Sequence, residues 1–180
     1  MPRTPRKLAT EEQLYDAALR ALMRRAHSLY EMRQALERRA QDKTLVRCVL
    51  ERLKQQKLLD DARFARQFAR YHAESRRQGR FRIARELRAR GVPERHIESA
   101  LEETFAEVDE AAVVRRRLER RLRQFGATGE PGTLDARKLA SLYRSLLRAG
   151  FSADTIRQEL HALTKRAAEE LPEPVPSDPD

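Results

Sequence analysis

Apolar residues recur along this chain at the spacing of amphipathic helices. Residues 8 to 92 contain no Pro, and Ala and Leu contribute 25 and 23 residues against 10 for Val and Ile together. This balance favours helix over strand. Thr10 and Gln13 have the spacing of a capping box at the start of a first helix, and Asp60 or Asp61 can cap a later one. The pattern predicts an all-α fold without strands.

Five apolar or small positions recur three times, which predicts tandem repeats. The three sets are Met32, Leu36, Ala40, Val46 and Leu50, then Ile83, Leu87, Gly91, Ile97 and Leu101, then Leu142, Leu146, Gly150, Ile156 and Leu160. Gly91 and Gly150 predict a tight left-handed turn between two helices of each pair. Ala40 takes that place in the first set, so its turn must be less sharp or made differently.

A further helix is predicted ahead of each pair, over residues 14–25, 61–76 and 110–125. Residues 126–133, GATGEPGT, have the composition of a loop insertion in the third repeat. We therefore predict nine helices in three tandem three-helix, helix-turn-helix-like repeats that form an elongated curved rod. The predicted divisions are a flexible basic N-terminus at 1–9, repeats at 10–58, 59–108 and 109–168, and a disordered acidic Pro-rich tail at 169–180.

Charge is distributed unevenly along the sequence. Lys and Arg number 38 against 28 Asp and Glu, a net charge of +10. The last 13 residues are acidic and the rest of the chain is strongly basic. Most of the basic residues are Arg, whose planar guanidinium suits bidentate contact with carboxylate or phosphate. The excess indicates an acidic or phosphate-bearing partner.

The composition argues against several classes of protein. Cys48 is the single cysteine, which excludes an internal disulfide and a multi-cysteine zinc site. We expect its thiol to be buried between Val46 and Val49. The four histidines are scattered, no glycine loop has the context of a phosphate site, and no apolar run could span a bilayer. We expect a monomeric cytoplasmic protein that is not an enzyme, requires no cofactor or metal, and does not bind a membrane.

Two arginine-rich runs are the strongest candidates for a binding surface. The first spans residues 76–90 and contains one acid, Glu86; the second spans 115–123 and contains Glu119. Such runs are commonly just solvated helix faces, but the shortage of Glu partners at i, i+4 favours binding. The candidate binding residues are Arg76, Arg77, Arg80, Arg82, Arg85, Arg88, Arg90, Arg115, Arg116, Arg117, Arg120, Arg121 and Arg123. Arg116, Arg120 and Arg123 are spaced to form a row down one helix face.

Three segments match the sequence pattern of a known family. They are SLYEMRQALERR at 28–39, LLDDARFARQF at 58–68 and GRFRIARELRARGVPERHIESAL at 79–101. In these segments the chain resembles the RecX family, bacterial regulators of the RecA recombinase. The residues that carry the family motifs are Leu59, Asp60, Asp61, Phe64, Ala65, Gly79, Ile83, Leu87 and Gly91.

The resemblance implies a function as well as a fold. It implies a rod of three-helix repeats that lies in the groove of the RecA–DNA filament. It also implies inhibition of recombinase, ATPase and co-protease activity, by blocking filament growth or promoting disassembly. The arginine runs would then contact filament carboxylates or DNA phosphates. The alternative is a basic helical-repeat DNA-binding protein that acts on recombination indirectly. An enzyme would need a cluster of ionisable groups that the sequence does not display.

Overall fold

The computed structural model describes residues 7–126 and 136–169, and within these ranges the chain forms nine α-helices and no strand. The helices are α1 (Glu11–Leu22), α2 (Leu29–Glu37), α3 (Thr44–Gln55), α4 (Asp61–Glu74), α5 (Arg80–Ala89), α6 (Glu94–Glu107), α7 (Glu110–Gly126), α8 (Ala136–Arg148) and α9 (Ala153–Glu169). The predicted all-α class is confirmed. Of the predicted insertion only Gly126, the last residue of α7, is described, and the acidic tail after residue 169 lies outside the described ranges.

Side-chain caps define the starts of several helices. The Thr10 side chain accepts a hydrogen bond from the Gln13 backbone amide at 3.3 Å, although the Gln13 side chain reaches back to Ala9 rather than to Thr10. Asp60 caps α4 by accepting from the Arg63 amide at 2.9 Å. The caps at Thr10 and Asp60 are therefore confirmed, since each oxygen satisfies an amide that has no partner within its helix. The capping box predicted for Thr10 and Gln13 is wrong, because the Gln13 side chain accepts from Ala9 instead.

The turns inside the helix pairs follow the glycine pattern. Gly91 and Gly150 have φ angles of +68° and +90°, in the left-handed region where a side chain is strained. The first turn needs no such residue because the chain ahead of α1 closes it. Leu8 donates to the Arg39 carbonyl at 2.7 Å and accepts from the Gln41 amide at 2.8 Å, forming an isolated bridge with Ala40.

The chain divides into two compact units. The first comprises the described residues up to Arg76 together with Ile83–Glu107, and the second comprises Arg77–Arg82 together with the described residues from Val108 onwards. One arrangement recurs three times: α1 packs along α3, α4 along α6 and α7 along α9. The fifteen repeated positions are buried except Gly91 and Leu160, so the repeat marks the buried face of the second and third helices of each set.

Cys48 departs from the expectation that its thiol is buried. The side chain is exposed. Val46, Val49 and Leu53 fill the inner face of α3, and at about 100° per residue Cys48 falls on the opposite side of the helix. The prediction was wrong because it used the neighbours of Cys48 in sequence rather than on the helix face.

Candidate functional site

A junction of side-chain caps and close backbone contacts lies in the first unit. The Asp61 carboxylate, at the start of α4, accepts from the Leu29 amide at the start of α2, at 2.8 Å. The Ser28 hydroxyl donates to the Arg90 carbonyl at 2.6 Å. A Cβ on Gly91 would come within 2.5 Å of the Tyr30 side chain. The turn that follows α5 is thereby fixed against the first turn of α2.

The second unit contains the same kind of junction. Glu110, at the start of α7, accepts from the Arg80 amide at 3.2 Å, and burial raises the pKa of its carboxyl. The Gly79 amide donates to the Ala149 carbonyl at 2.9 Å and the Phe81 amide to the Gly150 carbonyl at 3.0 Å. These bonds fix the turn that follows α8 against the first turn of α5. In the first unit, the turn that follows α5 is fixed against α2 in the same way.

The residues of the family motifs lie in the core or at these junctions. Phe64 is 7% exposed, and Leu59, Ala65, Ile83 and Leu87 are less exposed still. Their side chains fill the interior rather than the surface. Gly79 allows the backbone ahead of α5 to approach the turn that follows α8. A Cβ at this position would overlap the Gly150 carbonyl and lie 2.5 Å from the Phe151 amide nitrogen.

The arginines of the first run differ in their surroundings. In the first unit, Arg88 forms a two-bond ion pair with Glu94, with Nε to Oε2 at 2.8 Å, and this pairing lowers the pKa of Glu94. Arg90 donates to the Glu86 carbonyl at 2.7 Å. Arg85 is exposed and forms no ion pair with any other described residue. Two members of the run therefore have structural partners.

The other members of that run lie elsewhere. Arg76, in the first unit, has its guanidinium 5.8 Å from the centre of the Tyr71 ring. Arg77, Arg80 and Arg82 belong to the second unit. Arg77 has a φ of +51°, which turns the chain between α4 and α5. The run is continuous in sequence, but its side chains fall into two separate environments.

One edge of the apolar stripe of α7 is held by an ion pair. Val114 and Leu118 are at most 1% exposed and face the core of the second unit. Arg115 binds both oxygens of Glu159 on α9, each at 2.9 Å, and Glu159 is only 8% exposed. Because the carboxylate is buried, Arg115 has a structural partner and is not available as a free contact.

The other edge of the stripe carries a cluster of like charges. Arg117 is half-buried and donates to the Arg77 carbonyl at 3.3 Å. Burial lowers the pKa of Arg117, and the nearby guanidinium groups of Arg120, Arg121 and Arg82 lower it further. Arg121 also contacts the Gln124 side chain at 3.4 Å. Such a concentration of positive charge is stabilised by a bound anion.

The solvent face of α7 carries the predicted arginine row. Arg116, Arg120 and Arg123 are all exposed and form no ion pair or hydrogen bond with the rest of the described chain. Their spacing of four and three residues places them on one face. The second run therefore separates into one structural arginine, one half-buried cluster and one free row.

Sequence reasoning missed the acids that pair with these arginines. Glu94 lies six residues after Arg88 across a turn, and Glu159 lies 44 residues after Arg115. A search for i, i+4 partners within the run finds neither acid. The one signal in the sequence is that Glu159 lies between Ile156 and Leu160, which lie on the inner face of α9. A glutamate at such an apolar position indicates a buried ion pair.

Residues 7–126 and 136–169 contain neither a candidate metal site nor a helix that could span a membrane. No group of three or more His, Cys, Asp and Glu side chains is placed to hold a metal ion there. No helix in these ranges combines the length and the apolar composition needed to cross a membrane.

Comparison with known proteins identifies the family. The regulatory protein RecX of Halorhodospira halophila is 46% identical over 149 residues, which cover 83% of this chain and 87% of that protein. The chain belongs to the RecX family. RecX of Trichlorobacter lovleyi is 34% identical over 147 residues, covering 80% of this chain and 91% of its own length. A family model described as the second three-helix domain of RecX matches residues 60–101.

Solved structures of RecX proteins share the fold. The crystal structure of RecX from Lactobacillus salivarius superposes with a TM-score of 0.71 at 20% identity, covering 86% of this chain and 97% of that one. A second crystal structure of a regulatory protein RecX gives a TM-score of 0.69 at 22% identity. The all-α helical-repeat fold is thus that of the RecX structures.

Proposed function

We propose that this chain regulates the RecA recombinase by binding the RecA–DNA filament and inhibiting its recombinase, ATPase and co-protease activities. Membership of a family of regulatory proteins supports a regulatory role. The observation that carries the proposal is the free row on α7, Arg116, Arg120 and Arg123. Three exposed guanidinium groups that have no partner among the described residues are ready to contact the carboxylates or phosphates of a nucleoprotein filament.

The charge of the chain supports the same partner. A strongly basic protein is attracted over long range to a filament that contains DNA, and this attraction speeds encounter. The arginines with internal partners, Arg88 and Arg115 among them, are expected to contribute less. Their guanidinium groups would have to leave Glu94 and Glu159 before they could bind.

Charge reversal of the free row tests the proposal. The triple variant Arg116→Glu, Arg120→Glu, Arg123→Glu should raise the concentration needed to inhibit DNA-dependent RecA ATPase by about 10- to 150-fold. This range follows from three exposed charge contacts worth roughly 0.5–1 kcal/mol each. Because none of the three side chains has a partner in residues 7–126 and 136–169, the thermal stability of the variant should stay close to that of the wild type.

A matched variant controls for net charge. Arg20, Arg24 and Arg47 are exposed residues of the first unit that form no ion pair with other described residues. Reversing these three to Glu changes the net charge by the same amount, and inhibition should fall less than about threefold. Equal loss in both variants would show that only total charge matters, and unchanged inhibition by the α7 variant would refute the proposed surface.

Salt dependence separates the proposal from its alternative, direct DNA binding. The half-buried cluster around Arg117 favours a phosphate ligand, which is why the alternative needs a test of its own. Binding through about 6–10 phosphate contacts should weaken by about 10³–10⁵ between 50 and 200 mM salt. Filament binding that persists at the higher salt concentration would support a protein interface. Binding to free DNA that has the full salt dependence and is lost in the α7 variant would support the alternative.

A further inference from the structure

Aromatic and basic side chains line a groove of the first unit beside α4. The groove has a volume of about 580 Å³ and is lined by Phe68, Tyr71, His72 and Arg90 among others. The Phe68 ring stacks on His72, with centroids 3.9 Å apart, and the Arg90 guanidinium lies 4.5 Å from the Phe68 centroid. Phe68 thus contacts both His72 and Arg90, while Tyr71 remains 50% exposed.

A second groove of about 360 Å³ adjoins the first and has the same character. It is lined by His27, Tyr30 and Arg38, and Tyr30 is 46% exposed. Arg25 and Glu31 line both grooves. Their two-bond ion pair, at 2.9 and 3.2 Å, forms the wall that the grooves share.

The junction of the first unit holds the groove side chains in place. The Arg90 carbonyl accepts from Ser28, and the Arg90 guanidinium donates to the Glu86 carbonyl at 2.7 Å. Tyr30 lies over Gly91, where a side chain would collide with it. Because these groups are positioned before a ligand arrives, binding costs less side-chain entropy.

The lining is more basic than acidic. The lining contains Arg25, Arg38 and Arg90 against one acid, Glu31, which is bonded to Arg25 and lies 3.9 Å from Arg90. The Arg90 guanidinium also lies 3.9 Å from the Glu86 carboxylate. Burial raises the pKa of Glu31, but hydrogen bonds from Arg25 and from the Ser28 amide outweigh burial, so the pKa lies below its ordinary value and the carboxylate stays charged. The Arg38 guanidinium has no partner in the described chain.

A ligand that matches this lining has flat rings and negative charges along one chain. Exposed aromatic rings beside arginines are the features by which proteins bind single strands, since every base has a face that can stack. An acidic peptide could pair its carboxylates with the arginines, but it would have no aromatic ring to stack on each tyrosine. We propose that the two grooves bind single-stranded nucleic acid, with bases stacked on Tyr30 and Tyr71 and a phosphate at Arg38.

Fluorescence anisotropy with a labelled oligothymidylate of about 12 nucleotides tests this site, a length within the range of known single-strand sites. The variant Tyr30→Ala, Tyr71→Ala should lose affinity by about 5- to 150-fold for each ring, the range measured for base stacking on aromatic residues. The variant Tyr30→Phe, Tyr71→Phe should retain the affinity of the wild type. Thermal melting followed by circular dichroism checks that each variant is folded.

Two controls isolate stacking from charge. Phe81 lies 51 residues after Tyr30, at the matching place in the second unit, and is 60% exposed; Phe81→Ala should bind the oligonucleotide as the wild type does. An abasic oligomer of the same length should bind weakly to the wild type and show no dependence on the tyrosines. Arg38→Ala should reduce the slope of log affinity against log salt concentration by about 0.7.

Three results would overturn the inference. The first is that the wild type binds the abasic and the thymidylate oligomers with equal affinity, and the second is that Phe81→Ala loses as much affinity as the double tyrosine variant. The third is that an oligoglutamate peptide binds as tightly as the oligonucleotide and that this binding depends on the tyrosines. The last would assign the grooves to an acidic protein segment. Because no RecA is present, the result does not depend on the proposed regulation of the recombinase.

Discussion

Replacing Gly79 by Ala tests whether the close approach at the second junction stabilises the fold. The added Cβ would overlap the Gly150 carbonyl and lie 2.5 Å from the Phe151 amide nitrogen. These are backbone atoms, so no side chain can rotate away to relieve the overlap. The two segments would have to separate, which would strain the hydrogen bonds from Gly79 to Ala149 and from Phe81 to Gly150.

The expected loss follows from three contributions. Overpacking costs about 1–3 kcal/mol, and each weakened hydrogen bond costs about 0.5–1.5 kcal/mol. Alanine recovers roughly 0.4–1 kcal/mol by restricting the unfolded chain, since Gly79 does not have a left-handed φ angle. The net loss is about 3 kcal/mol. At about 2–4 °C for each kcal/mol in a chain of this size, the melting temperature should fall by roughly 6–12 °C.

Thermal melting and urea unfolding, followed by circular dichroism, measure this loss, and amide hydrogen exchange shows where it occurs. The Gly79 and Phe81 amides should exchange faster in the variant, because their hydrogen bonds cross the strained contact. Ser99→Ala, an exposed change within α6, serves as a control and should alter stability by less than about 0.5 kcal/mol. A melting temperature within about 1 °C of the wild type, with both amides still protected, would refute the reasoning.

Two further changes test the electrostatics of single helices. The hydrogen bond from the Arg63 amide lowers the pKa of Asp60 below its ordinary 3.8. The ionised Asp60 carboxylate therefore stabilises the folded protein at pH values above 3.8, and this stabilisation is lost as the pH falls through the lowered pKa of Asp60. The variant Asp60→Asn keeps the helix cap at pH 7. Its free energy of unfolding, measured with urea, should fall less steeply than that of the wild type as the pH is lowered below about 5. The same pH dependence in both proteins would contradict this. Arg115→Ala should cost about 1.5–3 kcal/mol in urea unfolding because it strands the buried Glu159 carboxylate, and adding Glu159→Gln should recover part of that loss; no recovery would show that charge burial is not the cause.

The fold could be predicted from the sequence because its main determinants are local. Helical spacing of apolar residues decides which face of each helix is buried, and the repeated set shows which faces meet. Gly91 and Gly150 could be assigned to left-handed turns because only glycine adopts that backbone conformation at little cost. The first turn could not be predicted, because its closure depends on a pairing between Leu8 and Ala40, 32 residues apart.

The candidate surface could be predicted only in outline. Counting acids within an arginine run identifies a basic helix but not the acids that other helices bring to it. Arg88 and Arg115 were grouped with Arg116, yet the first two have carboxylate partners and the third has none within the described ranges. The groove beside α4 was missed for the same reason, since its lining comes from three separated segments.

The family motifs and the candidate binding groups occupy different positions in the structure. Asp61, Gly79 and Gly91 hold helix starts against turns, and none of them presents a charged group to a partner. At the proposed sites they would act on binding only through what they position, as Gly91 leaves room for Tyr30. A change in a motif residue should therefore reduce stability and every binding activity together. Changes at Arg116 or at Tyr71 should affect one activity and leave the fold intact, so surface variants rather than motif variants can separate filament regulation from nucleic-acid binding.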